Sequence, residues 1–312
     1  MKSNFIAQKM FNEEVLTAIQ VYLGSDYRVS VNEVIKNNDT VLFGLNIVKQ
    51  KSVWAPTIYL DEYYAQYQSG MRIPEIVKEI IAAYESKEAS NLNIGADDLM
   101  DFKKVKNKVV FRLINLERNR KFLADVPYIQ FFDLAIVFSV IVSMDRDGIA
   151  STTIRNGLLN LWGADIDTLL ELARRNTPKL LTASIRDMKQ VMMDILDNDI
   201  SDEVKEQLAQ MDTSGAGQEM YVATNCNGIN GAAVMLYDGL IRNFADDIET
   251  DLFIIPSSIH ELILLPVKGH MRSDDIREII DEVNITEVQP NEVLGDNVYL
   301  YSRKADRIGM IG

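Results

Sequence analysis

Apolar residues in this chain recur at two different spacings, and each stretch commits to one of them. Val29 and Val31 alternate with polar neighbours, and Val41, Phe43, Leu45 and Ile47 occupy every second position, which lines them along one face of an extended strand. Residues 36–40, Lys-Asn-Asn-Asp-Thr, supply the hairpin turn between these runs. Ile73, Ile76, Val77, Ile80, Ile81 and Tyr84 recur instead at steps of three and four, the period of an amphipathic helix. Pro74 falls in its first turn, where a missing N–H breaks no intrahelical bond. A chain that holds both periods in so short a span builds sheets covered by helices, so an α+β fold is expected.

The same reading extends along the chain. Residues 5–22 are helical, 57–60 and 109–114 extended, and 128–143 a strand that turns at Asp145-Arg-Asp-Gly148 into a partner over 149–154. Three helices are expected next, with stripes at Leu169, Leu170 and Ala173, at Met188, Val191, Met192 and Ile195, and at Val204, Leu208 and Met211. Ser201 is the expected N-cap of the last. Beyond a flexible linker, strands over 220–224 and 232–237 flank a turn at 225–230 and precede a helix over 240–248. Strands over 252–255 and 261–267, a helix over 274–283 and a strand over 298–301 complete the order. The expected architecture is a set of antiparallel sheets built from ββα units with helices packed on one side, in two domains. These are residues 1–125 and 126–312, the second with a helical middle (156–211), the linker (212–218) and a ββαββαβ end.

Charge and cysteine usage exclude several functions. The 46 acidic residues outnumber the 32 basic ones, for a formal charge of -14, so the surface repels phosphate backbones and anionic lipid. Nucleic-acid and membrane binding are therefore not expected. Cys226 is the sole cysteine, so no intrachain disulfide can form. The start of the sequence carries acids and no continuous apolar core of a signal peptide, and the apolar run Leu134–Met144 is interrupted by Ser139 and Ser143. A cytoplasmic location is expected.

Cofactor chemistry has no sequence signal. Neither GxGxxG nor GxxxxGK[ST] occurs, and His260, His270 and Cys226 are too few for a structural zinc site. No cofactor and no metal is expected. Ser143-Met-Asp-Arg-Asp-Gly148 resembles part of a calcium loop, but Ile154 stands where a bidentate Glu is needed, so the segment reads as a turn. Pro256-Ser-Ser-Ile-His-Glu261 holds the one sensible dyad, because Ser258 and His260 share a face of an extended segment. Thr224-Asn-Cys-Asn-Gly-Ile-Asn-Gly231 reads as a polar turn, with Asn225, Cys226, Asn227 and Asn230 as candidate binding residues. Lys103, Lys104, Lys106, Lys108, Arg112, Arg118, Arg120 and Lys121 form a basic island, although Val109, Phe111, Leu113 and Ile114 within it belong to a core. Tyr63 and Tyr67 share a helical face and combine apolar area with polar tips, as interface residues do.

Several strings together carry a family resemblance. They include Pro56-Thr-Ile-Tyr-Leu60, Phe111-Arg-Leu-Ile-Asn115, Leu161-Trp-Gly163, Arg175-Asn-Thr-Pro178, Asn230-Gly-Ala-Ala233 and Pro256-Ser-Ser-Ile-His-Glu-Leu262. In these the chain resembles an uncharacterised family of Firmicutes proteins, mostly of gut clostridia, known as domain of unknown function 5688. The Trp-Gly region and residues 251–266 are also similar to another uncharacterised Firmicutes family. The resemblance implies a cytoplasmic protein of a Gram-positive anaerobe and assigns no residue a role. Two classes of function stay open: a non-enzymatic binding or interaction protein with an unknown protein partner, and a hydrolase or transferase using Ser258 and His260.

Overall fold

The computed structural model describes residues 2–50, 57–88, 95–145, 148–196, 219–256, 258–267 and 288–311. The chain divides into two compact units, Met1–Asp101 and Phe102–Gly312. All strand pairs described in both are antiparallel, so the α+β class read from the two spacings is the fold.

The first unit runs α1 (Lys2–Leu23), β1 (Tyr27–Ile35), β2 (Val41–Lys49), β3 (Thr57–Tyr59), α2 (Asp61–Gln68), α3 (Ile73–Glu88) and α4 (Ala96–Met100). Its sheet has the order β1-β2-β3, with Val31 opposite Leu45 and Leu45 opposite Ile58. Asn38 and Asp39 close the β1–β2 turn at positive φ, where short polar side chains are tolerated best after glycine. The alternating face of β2 is buried at Phe43, Leu45 and Ile47, while Val41 beside the turn is 38% exposed. These residues meet Phe11, Val15 and Ile19 of α1 and Ile76, Ile80 and Ile81 of α3 in one core. Asp61 ties three elements together, accepting from Gln8 Nε2 at 2.8 Å and from the Phe43 amide at 2.8 Å.

The second unit opens with α5 (Phe102–Val105), β4 (Val109–Asn115), α6 (Arg120–Leu123), β5 (Tyr128–Phe131), β6 (Leu134–Asp145) and β7 (Gly148–Thr153). Next come α7 (Asn156–Trp162), α8 (Ile166–Leu180), β8 (Ala183–Asp187), α9 (Met188–Leu196) and β9 (Tyr221–Asn225). The last elements are α10 (Leu240–Asp247), β10 (Leu252–Ile255), β11 (Leu262–Pro266), β12 (Val298–Ser302) and β13 (Arg307–Ile311). One sheet is centred on β6, with β4 along one edge and β5 and β7 sharing the other. The second sheet has the order β13-β12-β10-β11-β9-β8. Asp133, in the β5–β6 turn, accepts from Asn297 Nδ2 at 2.9 Å and from the Tyr299 hydroxyl. Tyr299 is fully buried, and burial together with Asp133 pushes its pKa up, so the phenol stays a neutral donor.

The structure departs from the sequence reading at identifiable places. The single strand expected over 128–143 is two, because Phe132 takes a positive φ of 55° and reverses the chain. The strand expected over 232–237 is a 3-10 helix, Gly231–Leu236; its small residues pack without needing an extended backbone. The expected helical middle contains β8, which pairs with β9 from Ala183↔Asn225 to Asp187↔Tyr221. β13 was not anticipated at all, since Arg307–Ile311 shows little alternation. The unit boundary falls after Asp101 rather than after residue 125, because β4 pairs with β6 from Val109↔Val140 to Asn115↔Leu134. The third expected helix with Ser201, the linker and the helix over 274–283 lie outside the described residues.

Candidate functional site

β4 is an edge strand whose outer backbone groups are taken up by α8. Thr177 Oγ1 accepts from the Phe111 amide at 3.1 Å and donates to the Ala173 carbonyl at 2.7 Å. Asn176 Nδ2 donates to the carbonyls of Lys106 and Val109 at 2.8 and 3.0 Å. With its edge covered and its faces packed, every residue of β4 is buried except Arg112. An arginine in the middle of such a strand is unusual, because its charge must leave bulk water with the strand.

Strand register decides what Arg112 faces. Directly opposed residues of an antiparallel pair share a face, so Val110, Arg112, Ser139, Ile141 and Ser151 point the same way. These residues line a cavity of about 30 Å³, together with Phe111, Ile149, Leu181, Ile229 and Asn230; on the scale of about 10–15 Å³ for one water, it holds about two or three water-sized groups. The Phe122 ring of α6 lies 5.5 Å from the guanidinium carbon. Among the described residues no carboxylate or carbonyl is bonded to Arg112. Burial lowers its pKa to about 10, which still leaves the group charged at neutral pH. Ser139 is only 4% exposed, and its hydroxyl has no partner among the described residues. Ser151 is exposed and marks the mouth.

The two candidate turns meet on the far wall. His260 Nδ1 lies 3.3 Å from the Asn230 amide and 3.1 Å from the Gly228 carbonyl, and Nε2 lies 3.6 Å from Glu292. The Nδ1 contacts need opposite proton placements: one accepts, the other donates. The Thr224 hydroxyl donates to the His260 carbonyl at 2.7 Å, and a Cβ on Gly231 would stand 2.3 Å from that oxygen. Glycine is therefore required there by close approach. Asn225 Nδ2 donates to the Ile229 carbonyl at 2.8 Å, and Asn225 Oδ1 accepts from the Asn227 amide at 3.0 Å. The turn is rigidly tied, and it delivers Ile229 and Asn230 to the cavity. Leu181 is fixed from its own carbonyl, which accepts from the Tyr237 hydroxyl at 2.7 Å. Burial, with a smaller contribution from Cys226, keeps that phenol protonated.

Other sequence candidates are placed differently. Ser258 Oγ accepts from the backbone N–H of His260 at 3.1 Å, not from its ring, so the side chains do not form the expected dyad. Ser258 is 7% exposed, in an isolated bridge with Val293. Cys226 is exposed beside Asn227 Oδ1. Lys103, Lys104 and Lys106 lie on the exposed side of α5 and the turn after it, while Arg118 and Arg120 pair with Asp296 and Glu117. Tyr63 packs partly against the first unit's core, and Tyr67 lies 5.1 Å from Phe11 at its rim. Asp147, in the calcium-like stretch, is outside the described residues. A wider cleft of about 270 Å³ near Glu117, Arg120 and Tyr128 has its cation already neutralised by Glu117.

Arg112, Ser139 and Ser151 were not singled out as site residues from sequence. The available signals were an arginine inside an otherwise apolar strand and a serine interrupting the Leu134–Met144 run. Fold and site together define an α+β protein with a mostly aliphatic, polar-tipped cavity against one sheet. The profile of the family of unknown function DUF5688 matches residues 8–303, and the chain belongs to that family. No curated protein and no solved structure matches it. Among the described residues no helix is long and apolar enough to cross a membrane.

Proposed function

We propose that this chain is a non-enzymatic binding protein whose second unit takes a small ligand in the Arg112 cavity. One observation carries the reading: a charged arginine on a buried strand, without a carboxylate partner among the described residues, lining a cavity that also holds two serines and an asparagine. A partly desolvated charge met only by the Phe122 ring among the described residues destabilises a fold, and a complementary ligand offsets that cost. The enzymatic alternative has weaker support. Ser258 Oγ and His260 Nδ1 meet backbone groups rather than each other, and among the described residues no base is hydrogen-bonded to either serine of the cavity. A thermal-shift screen of compact metabolites, charged and neutral, on the full chain and on Ser151→Phe tests the reading. At least one compound is expected to raise the Tm of the wild type and leave Ser151→Phe unmoved. Equal shifts in both proteins, or none in either, would overturn it.

A further inference from the structure

Resting on that reading, we infer that the ligand is a short-chain aliphatic monocarboxylate, gripped through its carboxylate by Arg112. The cation is the first reason. A guanidinium offers parallel N–H donors that match the two oxygens of a carboxylate, and no protein carboxylate occupies that fork among the described residues. Ser139 and Asn230 add donors of the same sense, with the Ser139 hydroxyl left without a partner among the described residues.

The remaining wall selects the tail. Val110, Ile141 and Leu181 form one packed apolar cluster, and Ile149 and Ile229 extend it to the rim. Such a surface rewards methyl and methylene groups and gives nothing to further polar atoms. A dianion such as phosphate would place a second charge against aliphatic side chains with one cation to meet it, inside a protein of net charge -14. The small volume sets the depth: about 30 Å³, roughly two to three times the space one water needs, accepts the carboxylate head, with the short aliphatic tail leaving along the wall toward the mouth at Ser151. Arg112 therefore supplies charge recognition, and the aliphatic wall discriminates by chain length.

Calorimetric titration of the full chain with acetate, propionate, butyrate, propionamide and inorganic phosphate tests this. The expected result is saturable propionate binding, at least tenfold tighter than propionamide or phosphate, at least tenfold weaker in Arg112→Met and only partly restored in Arg112→Lys. Ser151→Phe, which blocks the mouth from an exposed position, should abolish binding with an unchanged circular dichroism spectrum, and it serves if Arg112→Met fails to fold. Propionamide binding as tightly as propionate, or phosphate binding more tightly, overturns the monocarboxylate and leaves the cavity reading standing. Absence of binding by every carboxylate also overturns it; the cavity reading falls with it only when the neutral compounds of the thermal-shift screen fail as well.

Discussion

At the scale of single residues, the architecture of the site depends on close approach. Gly231 sits under the His260 carbonyl and beside the Thr224 hydroxyl, which a Cβ would approach to 2.0 Å. Gly231→Ala must therefore displace the turn, and a loss of about 1–3 kcal/mol of stability is expected, in the range for overpacking a tight site. Urea denaturation of the full chain checks it, and an unchanged midpoint would mean that the turn relaxes freely. Asn230, at a φ of 52°, was legible in the sequence as a turn residue. Its convergence with His260 was not, because the two lie thirty positions apart in sequence and only the pairing of β11 with β9 brings the two turns together.

At the scale of elements, α8 does two jobs that its sequence states only in part. Its stripe at Leu169, Leu170 and Ala173 was readable; Leu169 and Ala173 are fully buried and Leu170 is partly buried. Asn176 and Thr177 instead look like polar residues near a helix end, yet they satisfy the open edge of β4. Thr177→Val preserves shape and removes the acceptor for the Phe111 amide, so a loss of about 1–3 kcal/mol is expected from the buried unpaired donor. Chemical denaturation measures it, and amide exchange at Phe111 should quicken; full protection there would refute the role given to Thr177.

The other end of α8 predicts a pH effect. Asp165 caps the helix, accepting from the Thr168 amide at 2.8 Å, and its hydrogen bonds to Thr168 hold its pKa below the ordinary carboxylate value. A carboxylate with a lowered folded pKa stabilises the fold above its unfolded pKa, and that contribution disappears as pH falls through the folded value. Asp165→Asn should therefore flatten the decline in Tm over the acid range below about pH 4 relative to wild type. Parallel wild-type and variant curves would show that the cap contributes nothing there. The sequence reading placed the stripe of α8 but did not single out Asp165 as its cap.

At the scale of the whole molecule, the α+β class was legible because two hydrophobic periods write it directly into the chain. The boundary was not legible, since a strand within a sheet looks the same wherever its partner lies. β4 reads equally well as the last strand of a first domain, and only its pairing with β6 assigns it to Phe102–Gly312. The core of α1, β2 and α3 is drawn wholly from the first unit. A fragment of residues 1–101 should accordingly fold alone, with a cooperative thermal transition and a near-ultraviolet dichroism signal from its buried tyrosines. A fragment that melts without cooperativity would contradict the division.

Ligand binding in the second unit turns on one charge, that of Arg112. The most direct measurement follows the side-chain Nε–Hε resonance of Arg112 by NMR in the full-length, arginine-labelled protein, assigned through Arg112→Lys, during titration with propionate. The predicted result is a saturable shift of that resonance, with the paired surface groups of Arg118 and Arg155 unmoved. An Arg112 signal that stays fixed, or that moves only in step with the surface arginines, would contradict the account.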